Sequence, residues 1–172
     1  VNEEIANELH SRVERDQAVR SVVASSPERL DEMLSCDREN ARWLRGVIRR
    51  HGWPGISMVG EAAEICAWVL AQHADKEIVF QHQCLQLLIE AADAHEAPVW
   101  QVAFLSDRVS MHAGQPQRYA TQYRRLQGGW EPLPVEDLSG LRMRRLSLGL
   151  EAIDDCSPDA EMCNAGSRVV GQ

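Results

Sequence analysis

Four helix-like segments of this chain each carry a polar, mostly ionisable residue on an otherwise apolar stripe. Over residues 3–24, Ile5, Leu9, Val13, Asp16 and Arg20 recur at a spacing near 3.6 and predict a first helix. Ser25-Ser26-Pro27-Glu28 then stops and restarts the chain, with Ser26 suited to an N-cap, Pro27 to the first helical position and Glu28 to the positive end of the dipole. A second helix is predicted over 27–50, with Leu30, Leu34, Asp37, Ala41, Leu44 and Ile48 in register and Asn40 on the adjoining row. Gly52-Trp53-Pro54-Gly55 breaks it, because Pro54 holds Trp53 extended and the glycines permit a sharp turn. Ser57 caps a third helix over 58–74, with the stripe Val59, Ala62, Cys66, Val69, His73. A fourth over 76–95 buries Phe80, Cys84 and Leu88, and a fifth opens at Pro98 and stops at Gly114 with Trp100, Phe104, Asp107 and Met111 in line.

After Gly114 the pattern changes. Gln117 to Tyr123 alternates, Gly128-Gly129 signals a turn, and residues 130–135 return as a short strand. Residues 138–153 form a last short helix, and the polar tail 156–172 follows. The expected fold is mainly α: a bundle of five to six helices with a small β-hairpin or ordered loop near 117–135, in one domain over 1–155.

Charge narrows the functional classes. The formal net charge of −8 argues against a nucleic-acid partner, which requires a basic surface. The segment 108–150 is locally basic, and resting against the acidic tail is the first explanation for it. No apolar run approaches the ~20 residues of a membrane span, and the acidic start is unlike a signal peptide. All but one of the 18 basic residues are arginine, a bias that fits a GC-rich bacterial genome. The five cysteines form no Cys-x-x-Cys, so a reducing cytoplasm is expected; Cys156 and Cys163 are the pair placed to bond if any does.

A carboxylate on a buried stripe costs several kcal/mol unless partnered, so Asp16, Asp37 and Asp107 need partners or a wet cleft. Arg20 lies one turn from Asp16 and gives it a local, structural pairing. His73 is the leading candidate for chemistry: imidazole changes charge near neutral pH, and a helix C-terminus favours its cation. Asp37, Asp75 and Asp107 are the candidate partners that orient it or act opposite it. Asn40, Trp53, Arg108 and the loop side chains Gln117, Tyr119, Thr121 and Gln122 are candidates for substrate binding. His73-x-Asp75 has no second histidine at helical spacing and no Glu-x-x-His pair, so neither a metal nor another cofactor is expected. Cys66 shares the His73 stripe, but a buried apolar thiol is the better reading.

The chain also resembles a widespread bacterial family of unknown function. The shared motifs read here as Asp16-Gln17, Asp37 to Asn40, Gly52-Trp53-Pro54, Val59-Gly60, Gln72-His73-Ala74-Asp75, Phe80-Gln81, Asp107-Arg108-Val109, Gln117 to Gln122 and Arg144-Arg145 to Leu150. One departure is Ala120, where the resemblance implies glycine. The resemblance implies that these positions act together without naming a reaction.

The expectation from the residues is a cofactor-independent enzyme doing acid–base chemistry on a small molecule, as a hydrolase, lyase or isomerase of bacterial specialised metabolism, with His73 as acid or base. The alternative is a non-catalytic, immunity-type module that binds a ligand or peptide in the same polar cleft.

Overall fold

A computed structural model describes residues 1–126 and 129–153. The protein is mainly helical, with seven helices and one two-stranded antiparallel hairpin among the described residues. The described residues are grouped in two compact units, one over Val1–Ala97 and one beginning at Pro98.

In the first unit, α1 runs over Glu3–Ser25, and the Asn2 side chain caps it by accepting from the Ile5 N–H at 3.2 Å. Leu9, Val13 and Asp16 are buried along it, as the stripe predicts. Pro27–Arg29 forms a 3-10 turn whose fixed proline φ restarts the chain, although Ser26 makes no side-chain cap. α2 follows over Leu30–His51 and ends at Gly52, whose φ of +80° favours glycine. The turn that follows is clamped from outside. Glu96 lies so close to Gly55 that a Cβ there would meet its Oε2 at 2.7 Å, and this oxygen accepts from the Ser57 N–H at 2.7 Å. Ser57 is therefore no cap; it stands inside α3, Ile56–Val59.

The predicted third helix divides at Gly60, which takes φ +85° and restarts the chain as α4, Glu61–Gln72. The break changes the helical phase, so Ala62 is exposed while Ala63 and Glu64 turn inward. Cys66 to Gln72 are all buried, because α4 packs against α1, α2, α3 and α5 (Ile78–Asp93). α4 is the central helix of this unit, and His73 follows its last turn.

In the second unit, α6 spans Val99–His112 and stops at Ala113-Gly114, with Gly114 at φ +68°. A loop leads to β1, Tyr123–Leu126, which pairs antiparallel with β2, Gly129–Pro132, from Tyr123 opposite Pro132 to Leu126 opposite Gly129. Gln117 forms an isolated parallel bridge with Val135. α7, Leu141–Ser147, is shorter than the predicted final helix. Gly128, the tail 156–172 and the Cys156–Cys163 pairing lie outside the described residues. No helix among the described residues is long and apolar enough to cross a membrane.

Candidate functional site

Three of the four polar intruders meet in the first unit. Asp16 comes from the middle of α1, Asp37 from α2, and His73 from the residue after α4. They offer oxygen and nitrogen atoms within 4.8 Å of one another, a spacing that suits a cation. The cation among them is the Arg20 guanidinium. Its Nε donates to Asp16 Oδ2 at 3.1 Å and lies 3.1 Å from His73 Nδ1, while Nη2 donates to Asp37 Oδ1 at 2.5 Å. Asp16 is 1% exposed and Asp37 8%, whereas the Arg20 and His73 side chains keep 23% and 19%.

The hydrogen bonds of this cluster are in competition. His73 Nδ1 lies 2.9 Å from Asp16 Oδ2 as well as 3.1 Å from Arg20 Nε. One ring nitrogen cannot donate to Asp16 and accept from Arg20 at the same time. Either Nδ1 carries its proton and donates to the carboxylate, or Nδ1 is bare and accepts from the guanidinium. The cluster therefore has two proton arrangements separated by one transfer.

The two carboxyls are pushed apart in acidity. Burial raises Asp16, but hydrogen bonding and charge from His73, then from Arg20, outweigh it and hold the group below the usual range. Burial pushes Asp37 up to about 6 despite the pull of Arg20, and the negative charges of Asp16 and Asp75 push the same way. Asp16 thus stays ionised, while Asp37 exchanges its proton near neutrality.

The turn that carries His73 is held from behind. Gln81, fully buried on α5, donates through Nε2 to the Ala71 and Gln72 carbonyls, both at 3.1 Å, and to Asp75 Oδ1 at 3.3 Å. These carbonyls belong to the last turn of α4, where i+4 donors run out, and Ala71 also accepts from the Ala74 N–H at 3.3 Å. Asp75 is half-buried beside them.

Other residues singled out from sequence go elsewhere. Asn40 accepts from Arg12 Nη1 at 3.2 Å, and Arg12 stacks on Trp43 at 4.7 Å. Trp53 is not beside Asp37: α2 rises ~1.5 Å per residue, so the turn at its end starts roughly 22 Å from Asp37. Its indole N–H donates to the fully buried Glu64 at 3.2 Å, and its ring lines a separate cleft of about 380 Å³ with Gly55, Met58 and Leu87. Cys66 lies 3.4 Å from His10 Nδ1, and burial pushes its thiol up to about 11, far from a thiolate nucleophile.

Asp107 belongs to the second unit and is fully buried. Its Oδ1 accepts from the Arg118 and Tyr119 N–H groups at 2.7 and 3.1 Å. Its Oδ2 accepts from the Thr121 N–H at 3.0 Å and from the Thr121 hydroxyl at 2.9 Å. Burial raises this carboxyl, and the donors from Thr121, Arg118 and Tyr119 pull it part of the way back. Every donor that meets Asp107 belongs to the loop it organises. Gln117 also staples this loop: its Nε2 donates to the Gln122 and Leu133 carbonyls at 3.0 and 2.8 Å, and its Oε1 accepts from the Gln122 N–H at 2.9 Å. Arg108 Nη1 reaches Gln122 Oε1 at 3.4 Å. Ala120 adopts φ +54°, so the loop curls and the expected alternating face is not formed. The Tyr119 carbonyl accepts from Arg145 at 2.6 Å, and Arg145 is 1% exposed.

Sequence reasoning missed Arg20 as a member of the site and treated Asp16 as merely structural. The signal was present, since both stand on the His73-facing stripe of α1. It also missed Arg145, although the closing Arg-Arg motif of the family resemblance contains it. Comparison with curated proteins and with solved structures gives no match. A family model does match, over residues 3–160, and its description is a family of unknown function. The chain belongs to that family, DUF6624.

Proposed function

We propose that the Asp16–Arg20–Asp37–His73 cluster is the reaction centre of a cofactor-independent enzyme doing acid–base chemistry on a small molecule, as a hydrolase, lyase or isomerase. The observation that carries this reading is the buried Asp16 carboxylate 2.9 Å from His73 Nδ1. In the arrangement where Nδ1 carries its proton, the ionised aspartate accepts it, which directs acid–base work to Nε2 and stabilises the imidazolium that forms. Asp37, whose proton exchanges near pH 6, is the complementary acid. Arg20 supplies the charge that lets two carboxyls share one small space. Asp75 adds negative charge at the rim. The arginine-rich composition supports a bacterial source, and the free, buried thiols of Cys36, Cys66 and Cys84 fit a reducing cytoplasm.

The test is untargeted turnover. Purified protein and its His73→Gln variant, each shown folded by circular dichroism, are incubated with a bacterial small-molecule extract and followed by mass spectrometry. Compounds consumed by the parent and spared by the variant are the expected result. Equal consumption by both removes His73 from the chemistry, and retention of a compound without conversion favours the binding module.

A further inference from the structure

We infer that the substrate carries an oxyanion, a carboxylate or a phosphoryl group, and that this group docks on the edge of the Arg20 guanidinium formed by Nη1 and Nη2. The inference deepens the preceding reading and rests on it.

A guanidinium presents five N–H groups in one plane. In Arg20, Nε–H is directed at Asp16 and His73, and Nη2 gives one hydrogen to Asp37. Nη1 meets only the Met33 sulfur, at 3.3 Å, and a thioether is a weak acceptor. Among the described residues, no oxygen meets the remaining hydrogens of Nη1 and Nη2. The Nη1 and Nη2 edge of a guanidinium can present two parallel hydrogens that pair two-pronged with carboxylate and phosphate. The Arg20 side chain retains 23% exposure and Met33 is half-buried, so the guanidinium is not sealed from solvent.

The sign of the ligand follows from what is unsatisfied. The unmatched atoms are donors, so the missing partner is an acceptor. A cationic ligand would compete with Arg20 for carboxylate oxygens already engaged, whereas an oxyanion fills the open fork and leaves those bonds intact. Charge balance adds a condition. Arg20 faces the carboxyls of Asp16 and Asp37, with Asp75 also acting on Asp37 and His73 alongside. An incoming anion is repelled by these groups unless a proton enters with it, and Asp37 and His73 are the groups that take it. Binding is then coupled to loading the acid–base pair.

The experiment is an NMR titration of the full chain, observing Arg20 Nε–H and the His73 ring nitrogens, with sodium acetate, sodium phosphate, acetamide and sodium chloride. Saturable shifts with acetate or phosphate are expected, and neither acetamide nor chloride reproduces them. Acetate alone identifies a carboxylate, phosphate alone a phosphoryl group, and a response to both supports the shared oxyanion chemistry. Calorimetry in buffers of different ionisation heat is expected to show proton uptake. Arg20→Gln is expected to weaken binding by about tenfold or more. Should that variant not fold, Arg20→Lys keeps the charge without the fork and is expected to lose about as much. Equal shifts with acetamide, no saturable shift with either anion, or unaltered binding in the Arg20 variants overturns the proposal. Absent anion binding, with turnover still dependent on His73, sinks the ligand class alone; turnover independent of His73 sinks the reaction centre.

Discussion

Asp37 and Asp107 both stand mid-helix on a buried stripe, and their surroundings differ in kind. Asp107 is met by backbone N–H groups and one hydroxyl, all from the single loop 118–121. Asp37 is met by one guanidinium that it shares with another carboxylate and an imidazole. The first arrangement has one way to be satisfied and closes a loop. In the second, the single Nε–H of Arg20 is contested by Asp16 and His73, and the protons have two arrangements. A buried carboxylate matched by backbone donors acts as a staple, whereas one that must share a cation with other titratable groups holds chemistry in reserve.

The contrast is broken most forcefully by removing each centre in turn. His73→Gln is expected to lower turnover of the physiological compound by about 10²–10⁴-fold, the usual contribution of a positioned acid or base, while unfolding free energy changes by less than about 1 kcal/mol. A stability loss of ~2 kcal/mol or more with no activity to lose would instead make His73 part of a structural core. Asp107→Ala is expected to do the opposite. It strands the donors of Arg118, Tyr119 and Thr121 in a sealed site, and urea denaturation should show a loss of about 3 kcal/mol or more. Near-parental stability would mean that the loop does not depend on that carboxylate.

Asp37→Asn sharpens the comparison through pH. The folded value of Asp37, about 6, lies above the ~3.9 of an unfolded aspartate. Between those values the folded chain binds more protons, so the Asp37 contribution to stability falls as pH rises through the window, and the full cost is present above it. The amide of the variant would keep an acceptor for Arg20 without the buried charge. The variant is expected to be more stable than the parent at pH 8 by about 1–3 kcal/mol, with the gap closing toward pH 4. A variant less stable at pH 8 would mean that Arg20 fully offsets the burial of Asp37. Asp16 has the reverse sign: its depressed value stabilises the fold above the ordinary aspartate range, and this is lost as pH falls.

The smallest effect concerns Ala120. An alanine at φ +54° carries a penalty of roughly 1–2 kcal/mol that glycine avoids, partly offset by the freedom glycine regains on unfolding. Ala120→Gly is expected to raise stability by less than about 1 kcal/mol, read as a small upward shift in melting temperature. A loss would show that buried contacts of the alanine methyl outweigh its backbone strain.

Much of the architecture was legible because apolar periodicity reports burial directly. The stripes of α1 and α2 placed Asp16 and Asp37 inside from spacing alone. The division of α4 from α3 was hidden, since Gly60 reads as an ordinary residue until its φ is known. Sequence also marked Asp107 as buried. The pattern of side chains shows that a carboxylate is buried but not what satisfies it, and here the donors are main-chain groups more than ten residues downstream. Trp53 was drawn toward the site by its motif, although the length of α2 carries it away. Arg20 was dismissed as a local partner of Asp16, because a spacing of four residues accounts for one ion pair and gives no sign of the two helices converging on the same guanidinium.

The division of labour between Asp16 and Asp37 is tested most directly by carboxyl ¹³C NMR of both residues across pH 3–9. Asp37 is predicted to titrate near 6 and Asp16 below the ordinary aspartate range, with the His73 ring signals responding to the Asp37 transition. Both carboxyls titrating together below pH 4, with His73 indifferent to either, would contradict the account and leave a closed ion-pair network in place of a reaction centre.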